Sequence, residues 1–165
     1  LKIIEEPTQN TYFFLINNNK KILKTLLSRC LNFKINLTNK QFLEISENLL
    51  GENIHKIIND DLYGYYSTPG KIYSLSKYAF DNDINLKNTN LKNLLSLSVD
   101  NLYYKKDENI KNIVFELVEF FIFKKLSLSQ QDLCSYFIKR INDIKKYNLD
   151  EESFFIEFKS KFLNA

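Results

Sequence analysis

Residues 1–35 read LKIIEEPTQNTYFFLINNNKKILKTLLSRCLNFKI, and the fold turns on how this stretch is parsed. Thr11 to Ile16 is a short, nearly continuous apolar run, the pattern of a strand buried on both faces. Asn17, Asn18 and Asn19 follow, where such a strand ends in a polar loop. A short helical piece then closes on Ser28-Arg29-Cys30. Beyond it Leu31, Phe33 and Ile35 alternate with Asn32 and Lys34, the period-2 signature of a strand with one buried face. The expected order is strand, asparagine loop, helix, Ser-Arg-Cys, strand. On the residues alone, this holds an arginine at an element boundary beside a buried sheet.

Downstream the pattern turns helical. Thr38 and Gln41 have capping-box spacing, Phe42, Ile45 and Leu49 recur at helical intervals, and Gly51 supplies a stop. A second helix is expected over 53–62, with Ile54, Ile57 and Ile58 on one face. A third opens at Thr68 with Pro69 at its first position and runs through Ile72, Leu75 and Tyr78 to about Phe80. The polar residues 81–90 mark a boundary. Four more helices are expected over 90–104, 108–126, 130–146 and 150–163, with Asn148 or Asp150 capping the last. In the helix over 108–126, Ile110, Ile113, Val114, Leu117, Val118, Phe121 and Ile122 form one broad face, while Phe115, Phe120 and Phe123 are spread around it. Such a helix needs cover on several sides.

The 165 residues suffice for one domain or two small ones with a real core. With 23 basic and 20 acidic residues the net charge of +3 is too balanced to announce a nucleic-acid binder. Cys30 and Cys134 match no metal spacing, and reduced thiols in a cytoplasmic protein are the expectation. The most apolar stretch, 113–123, is too short to cross a bilayer and contains Glu116 and Glu119, so no membrane partner is expected. No methionine occurs, even at position 1, and the chain is read as the C-terminal part of a longer protein. None of its 3 glycines builds a phosphate-binding Gly-x-x-x-x-Gly-Lys loop.

Leu1, Lys2, Glu5-Glu6-Pro7, the apolar run from Thr11 to Leu15, Thr25 and Ser28-Arg29-Cys30 together resemble the end of the nucleotide-binding domain of AAA+ clamp loaders of bacterial DNA polymerase III. Within that family the pattern is most similar to delta-prime-type subunits. The resemblance implies a mainly α chain: residues 1–37 as the C-terminal edge of an AAA+ α/β core, 38–80 as a three-helix lid, and 81–165 as a helical collar that oligomerises and buries the surplus aromatics. It implies that Arg29 is an arginine finger reaching the ATP site of a neighbouring subunit, with Ser28 and Cys30 as structural motif neighbours. It puts Asn17 at the sensor 1 position, with Asn18 as the competing residue, since the chain is about one residue short between Asn17 and Leu23. ATP-Mg would be bound by the neighbour and no cofactor by this chain. Partners would be gamma/tau and delta subunits, met through the collar and the Arg29 face, with primed DNA and the sliding clamp reached through the complex. Gly70 falls where ATP-hydrolysing subunits carry the sensor 2 arginine; Lys71 lies roughly 100° further around the helix.

Each assignment has a plainer competitor. Arg29 can be a salt-bridging arginine at a strand end, and Asn17 a turn residue. Cys30 suits a small buried residue better than a nucleophile, with no histidine nearby in sequence. His55 has no partner motif, and Glu5 and Glu6, next to a proline, suit a solvated helix end. The pairs Lys105-Lys106, Lys124-Lys125 and Lys145-Lys146 suit phosphate contacts or solvated helix ends equally. Two other functions compete: an ATP-hydrolysing gamma/tau-like subunit, and an unrelated helical adaptor or RNA-binding module, which leaves residues 1–35 unexplained.

Overall fold

The computed structural model describes residues 9–17, 21–62, 64, 68–125 and 131–164. These form eight α-helices: α1 (Lys24–Leu27), α2 (Asn39–Leu50), α3 (Ile54–Ile57), α4 (Pro69–Asp81), α5 (Leu91–Asp100), α6 (Glu108–Lys125), α7 (Gln131–Tyr147) and α8 (Glu152–Phe158). Short 3-10 turns follow α3 (Asp60–Leu62) and α5 (Tyr103–Lys105), and a π-helical turn (Lys159–Leu163) continues α8. The chain divides into two units, residues 1–37 and 38–165.

In the first unit the expected strands are not formed. Residues 11–17 and 31–37 carry no regular secondary structure, and their apolar side chains are exposed, Phe14 by 92% and Ile35 by 87%. The expectation of an α/β edge is corrected accordingly: the described residues are all-helical with no strand. The physical reason is that a strand exists through its ladder, and no described segment forms one with either run. Alternation alone supplies no pairing partner.

In the second unit the capping signals operate as their residues require. The Thr38 side chain accepts from the Gln41 N–H at 3.3 Å while the Gln41 side chain accepts from the Thr38 N–H at 3.0 Å. Gly51 closes α2 at φ 74°, a left-handed conformation that costs glycine little. Thr68 accepts from the Lys71 N–H, and Pro69 takes the first turn of α4. Asn90 caps α5, and the Asp150 carboxylate accepts from the N–H groups of Glu152 and Ser153 at the start of α8.

Two expected helices are interrupted. The segment 53–62 breaks at Ile58, which is extended (φ −119°, ψ 140°) and fully buried. Asn59 then bonds away from the helix: its N–H donates to the Leu86 carbonyl at 3.0 Å and its side-chain amide to Lys87 O at 3.0 Å. The segment 90–104 breaks after Asp100, and Leu102 takes φ 52°. That turn sets Tyr103 edge-on to Tyr78 and brings the buried Tyr104 ring to 4.2 Å from Phe155. Tertiary contacts override helix propensity at both places.

Residues 81–90 are not a gap between two cores. Leu86 is buried and Ile84 packs against the same core, while Asn85 accepts from the N–H groups of Lys87 and Asn88. The polar residues there shape a turn, and one core runs from Ile54 to Leu163 within the second unit. Asp61 ties it at a further point: its carboxylate accepts from the Leu91 N–H at 2.9 Å, capping α5, and from Lys124 Nζ at 2.7 Å at the end of α6. Partial burial pushes the Asp61 carboxyl upward, yet these partners more than offset it and hold the group below its ordinary value.

The surplus aromatics of α6 are mostly covered by the chain itself. Phe115 is buried against Phe154 and Phe155, Phe121 packs against Phe158 and Phe162, and Phe120 is half-buried. Only Phe123 of the three spread phenylalanines stays open to solvent, at 64%. The expectation that a subunit interface covers them therefore narrows to Phe123, because the phenylalanines of α8 and its continuation supply the missing wall.

One buried polar contact makes the core sensitive to alkali. The Ser98 hydroxyl donates to Leu94 O at 2.7 Å, so the Tyr78 hydroxyl, 2.5 Å from Ser98 Oγ, is the donor of that second bond. Burial, opposed by the Ser98 bond and reinforced by Tyr103, pushes the Tyr78 phenol up to about 12. The folded-state value lies above the unfolded one. The associated stability is therefore complete below about pH 10 and is lost as pH rises through about 12. Denaturant unfolding across this window should show a steeper alkaline loss in the wild type than in Tyr78→Phe; equal slopes would exclude Tyr78 as the responsible group.

Candidate functional site

The site expected around Arg29 belongs to the first unit. Leu23 opens α1 without a side-chain cap, and the four-residue helix ends at Ser28. The N–H groups of Ser28 and Arg29 take the Lys24 and Leu26 carbonyls, and two side chains take the Thr25 carbonyl between them. Ser28 Oγ donates to the Thr25 carbonyl at 3.1 Å, and Arg29 Nη1 donates to the same oxygen at 3.0 Å. Thr25 is the residue whose part the expectation about Arg29 did not foresee. Its signal was present in the spacing, since residues three and four positions on lie over the preceding turn of a helix.

Arg29 is solvent-exposed, and its guanidinium folds back over the C-terminal end of α1, where the partial negative charge of the carbonyls favours a cation. Ser28 is likewise exposed. Cys30 is half-buried and not in a disulfide; with Ile22 and Leu26 it makes up the partly buried residues of 21–37. Asn17 is exposed at the end of the apolar run, while Asn18 and Asn19, like Glu5, Glu6 and Pro7, lie outside the described residues. The structure thus brings Thr25, Ser28 and Arg29 together.

Gly70, read at the sensor 2 position, is exposed in the first turn of α4, and a Cβ built on it would meet nothing within 4 Å. Packing does not demand a glycine there. Lys71 turns toward α6, with its Nζ 3.3 Å from Glu116 Oε1. The lysine pairs are largely engaged within the chain: Lys105 with Glu152, Lys124 with Asp61 and Lys145 with Glu119, each at 2.7 Å, while Lys106 lies over the Tyr103 ring and Lys146 over Tyr147. Their arrangement serves the fold before it serves any phosphate. His55 is exposed, and its carbonyl accepts from Lys87 Nζ. Cys134 is buried, and burial pushes its thiol above the ordinary value, the opposite of an activated nucleophile. Among the described residues no group of three or more His, Cys, Asp or Glu could hold a metal ion, and no helix is long and apolar enough to cross a membrane.

Comparison with known proteins bears on the first unit most directly. Residues 1–39 match a sequence family described as DNA polymerase III, delta subunit. The chain is also similar to the DNA polymerase III subunit gamma of Buchnera aphidicola subsp. Schizaphis graminum, 36% identical over 98 residues, which is 54% of this chain and 27% of that protein. The chain thus spans about a quarter of the length of the curated relative it matches. No solved structure matches it. The two matches make the chain similar to subunits of DNA polymerase III described as delta and gamma, and do not single out delta-prime.

The open surroundings of Gly70 give a direct expectation. Gly70→Ala should raise the stability of the helical unit by up to about 1 kcal/mol, by restricting the unfolded chain at a position that accepts a side chain. Thermal unfolding followed by circular dichroism checks this, and a destabilised variant would show that the backbone there needs glycine.

Proposed function

We propose that this chain is part of a non-catalytic, delta-prime-type subunit of the DNA polymerase III clamp loader, and that Arg29 serves as an arginine finger for the ATPase site of a neighbouring subunit. The observation that carries this reading is the Ser28-Arg29-Cys30 motif, which lies inside the segment matched by the family and presents an exposed arginine at the end of α1. Phosphoryl transfer spreads negative charge over the equatorial oxygens, and a guanidinium supplied in trans stabilises it, typically by 10³–10⁵ in rate, about 4–7 kcal/mol. The bond from Arg29 Nη1 to Thr25 O fits a resting arrangement in which the side chain is held near the helix end.

In this reading residues 38–80 correspond to the lid and 81–165 to the collar, packed on one shared core, and the collar part meets gamma/tau and delta subunits. Asn17 is the sensor 1 residue of a site that does not hydrolyse ATP, and the sliding clamp and primed DNA are reached through the assembled complex. Gly70 supports a non-hydrolysing role, since glycine offers no group to grip a phosphate. A second reading, an ATP-hydrolysing gamma-type subunit, is favoured by the similarity to the Buchnera gamma protein. The two part at nucleotide binding by the full-length subunit and at the consequence of supplying an arginine at position 70.

Arg29→Ala in the full-length subunit should leave it folded and assembled, since an exposed arginine carries little stability. DNA-stimulated ATP hydrolysis by the assembled complex should fall by about 10³-fold or more at the neighbouring site. Arg29→Lys should rescue poorly, because a point charge does not reproduce the planar fork. Unchanged hydrolysis and clamp loading in an assembled Arg29→Ala complex would reject the finger, and an unfolded variant would make Arg29 structural.

A further inference from the structure

A groove in the second unit has no part in the reading above. It encloses about 810 Å³ between the end of α2, α3, one face of α4 and the turn at 84–88. The α4 wall is formed by Tyr73, Ser76, Lys77 and Phe80, spaced i, i+3, i+4 and i+7, so they share a single face. This face is turned away from the one that buries Ile72, Leu75 and Tyr78. Phe80 is 84% exposed and Tyr73 is half-exposed, with Leu49 across from them equally open. A large apolar rim of this kind on a packed helical unit marks a binding surface.

The charges on the groove specify the occupant. Lys56, Lys77 and Lys87 line it against a single carboxylate, Glu52. Lys87 is turned onto the His55 carbonyl, which leaves its charge uncompensated, and among the described residues Lys56 and Lys77 pair with no carboxylate. This differs from Lys105, Lys124 and Lys145 of the same unit, each of which has an acidic partner. The floor is aliphatic, with Leu50, Ile57 and Ile84. It takes an apolar side chain, with Ser76, Asn85 and Asn88 supplying polar groups elsewhere in the lining.

We infer that this groove docks an acidic amphipathic peptide segment of a partner protein, one that places a large apolar side chain against Tyr73 and Phe80 and its carboxylates beside Lys56 and Lys77. The binding mode is a helix or extended segment laid in a groove, with the apolar anchor supplying affinity and the lysine rim supplying orientation and association rate. The inference does not depend on Arg29 or on the clamp-loader assignment.

The test is titration of the full-length chain with a fluorescein-labelled synthetic helix carrying Phe and Leu one turn apart and flanked by glutamates. A counterpart with lysines in place of the glutamates, and a single-stranded oligothymidine, serve as rivals. The acidic helix should bind in the micromolar range, weaken as salt is raised, and shift the NMR signals of Tyr73, Lys77 and Phe80. Phe80→Ala and Lys77→Glu should each weaken binding by roughly tenfold while leaving the thermal midpoint unchanged, as both side chains are exposed. Binding of the basic helix as tight as that of the acidic one, or indifference to both variants, would overturn the proposal. So would no binding by the acidic helix, and a preference for oligothymidine would make the groove a nucleic-acid surface instead.

Discussion

The second unit depends on the meeting of α6 with the phenylalanines of α8 and its π-helical continuation. Phe115 lies 5.1 Å from Phe155 and 5.6 Å from Phe154, and Phe121 lies 5.9 Å from Phe158 and 6.0 Å from Phe162. Phe137 of α7 inserts where these rings converge, within 6 Å of Phe154, Phe158 and Phe162. Burying one such side chain contributes on the order of 2–3 kcal/mol, and each well-oriented ring pair adds about 0.5–1.5. The continuation of α8 matters here, because its looser turn keeps Phe162 and Leu163 facing the same core as Phe158. Peripheral ties such as Arg140 to Glu157 and Lys159 to Asp100 then fix the registers of helices already held by the rings. Exposed pairs of this kind contribute little by themselves.

Much of this was legible from the residues. A helix start is written locally: Thr38 with Gln41, Thr68 with Pro69, Asn90, and Asp150 two and three residues before the N–H groups it receives. The apolar face of α6 was equally plain. The breaks were not, because they answer to partners distant in sequence. Ile58 leaves the helix while Asn59 bonds to Leu86 and Lys87, and Leu102 takes a left-handed conformation as Tyr103 and Tyr104 reach Tyr78 and Phe155. Leu86, a lone apolar residue in a polar stretch, is the anchor that composition concealed.

The Arg29 neighbourhood shows the same division. Local spacing explains how Ser28 and Arg29 converge on Thr25 O, because residues three and four apart on a helix are neighbours whatever lies beyond. The alternation of Leu31, Phe33 and Ile35 says which side chains would share a face and nothing about what covers that face. The groove beside Tyr73 and Phe80 escaped the sequence reading for a related reason. Aromatic residues in a helix read as core until the helix's other face is seen to be the buried one.

The uncovered run in the first unit also bears on how the protein survives in solution. Tyr12, Phe13, Phe14, Leu15 and Ile16 are consecutive, β-prone, uncharged and exposed. Segments of that character stack readily into cross-β assemblies, and neither a proline nor a charge inside the run acts as a gatekeeper. Wherever these side chains meet solvent, identical copies compete to cover one another. The lifetime of the chain in solution then depends on the rate of self-stacking, which rises with concentration.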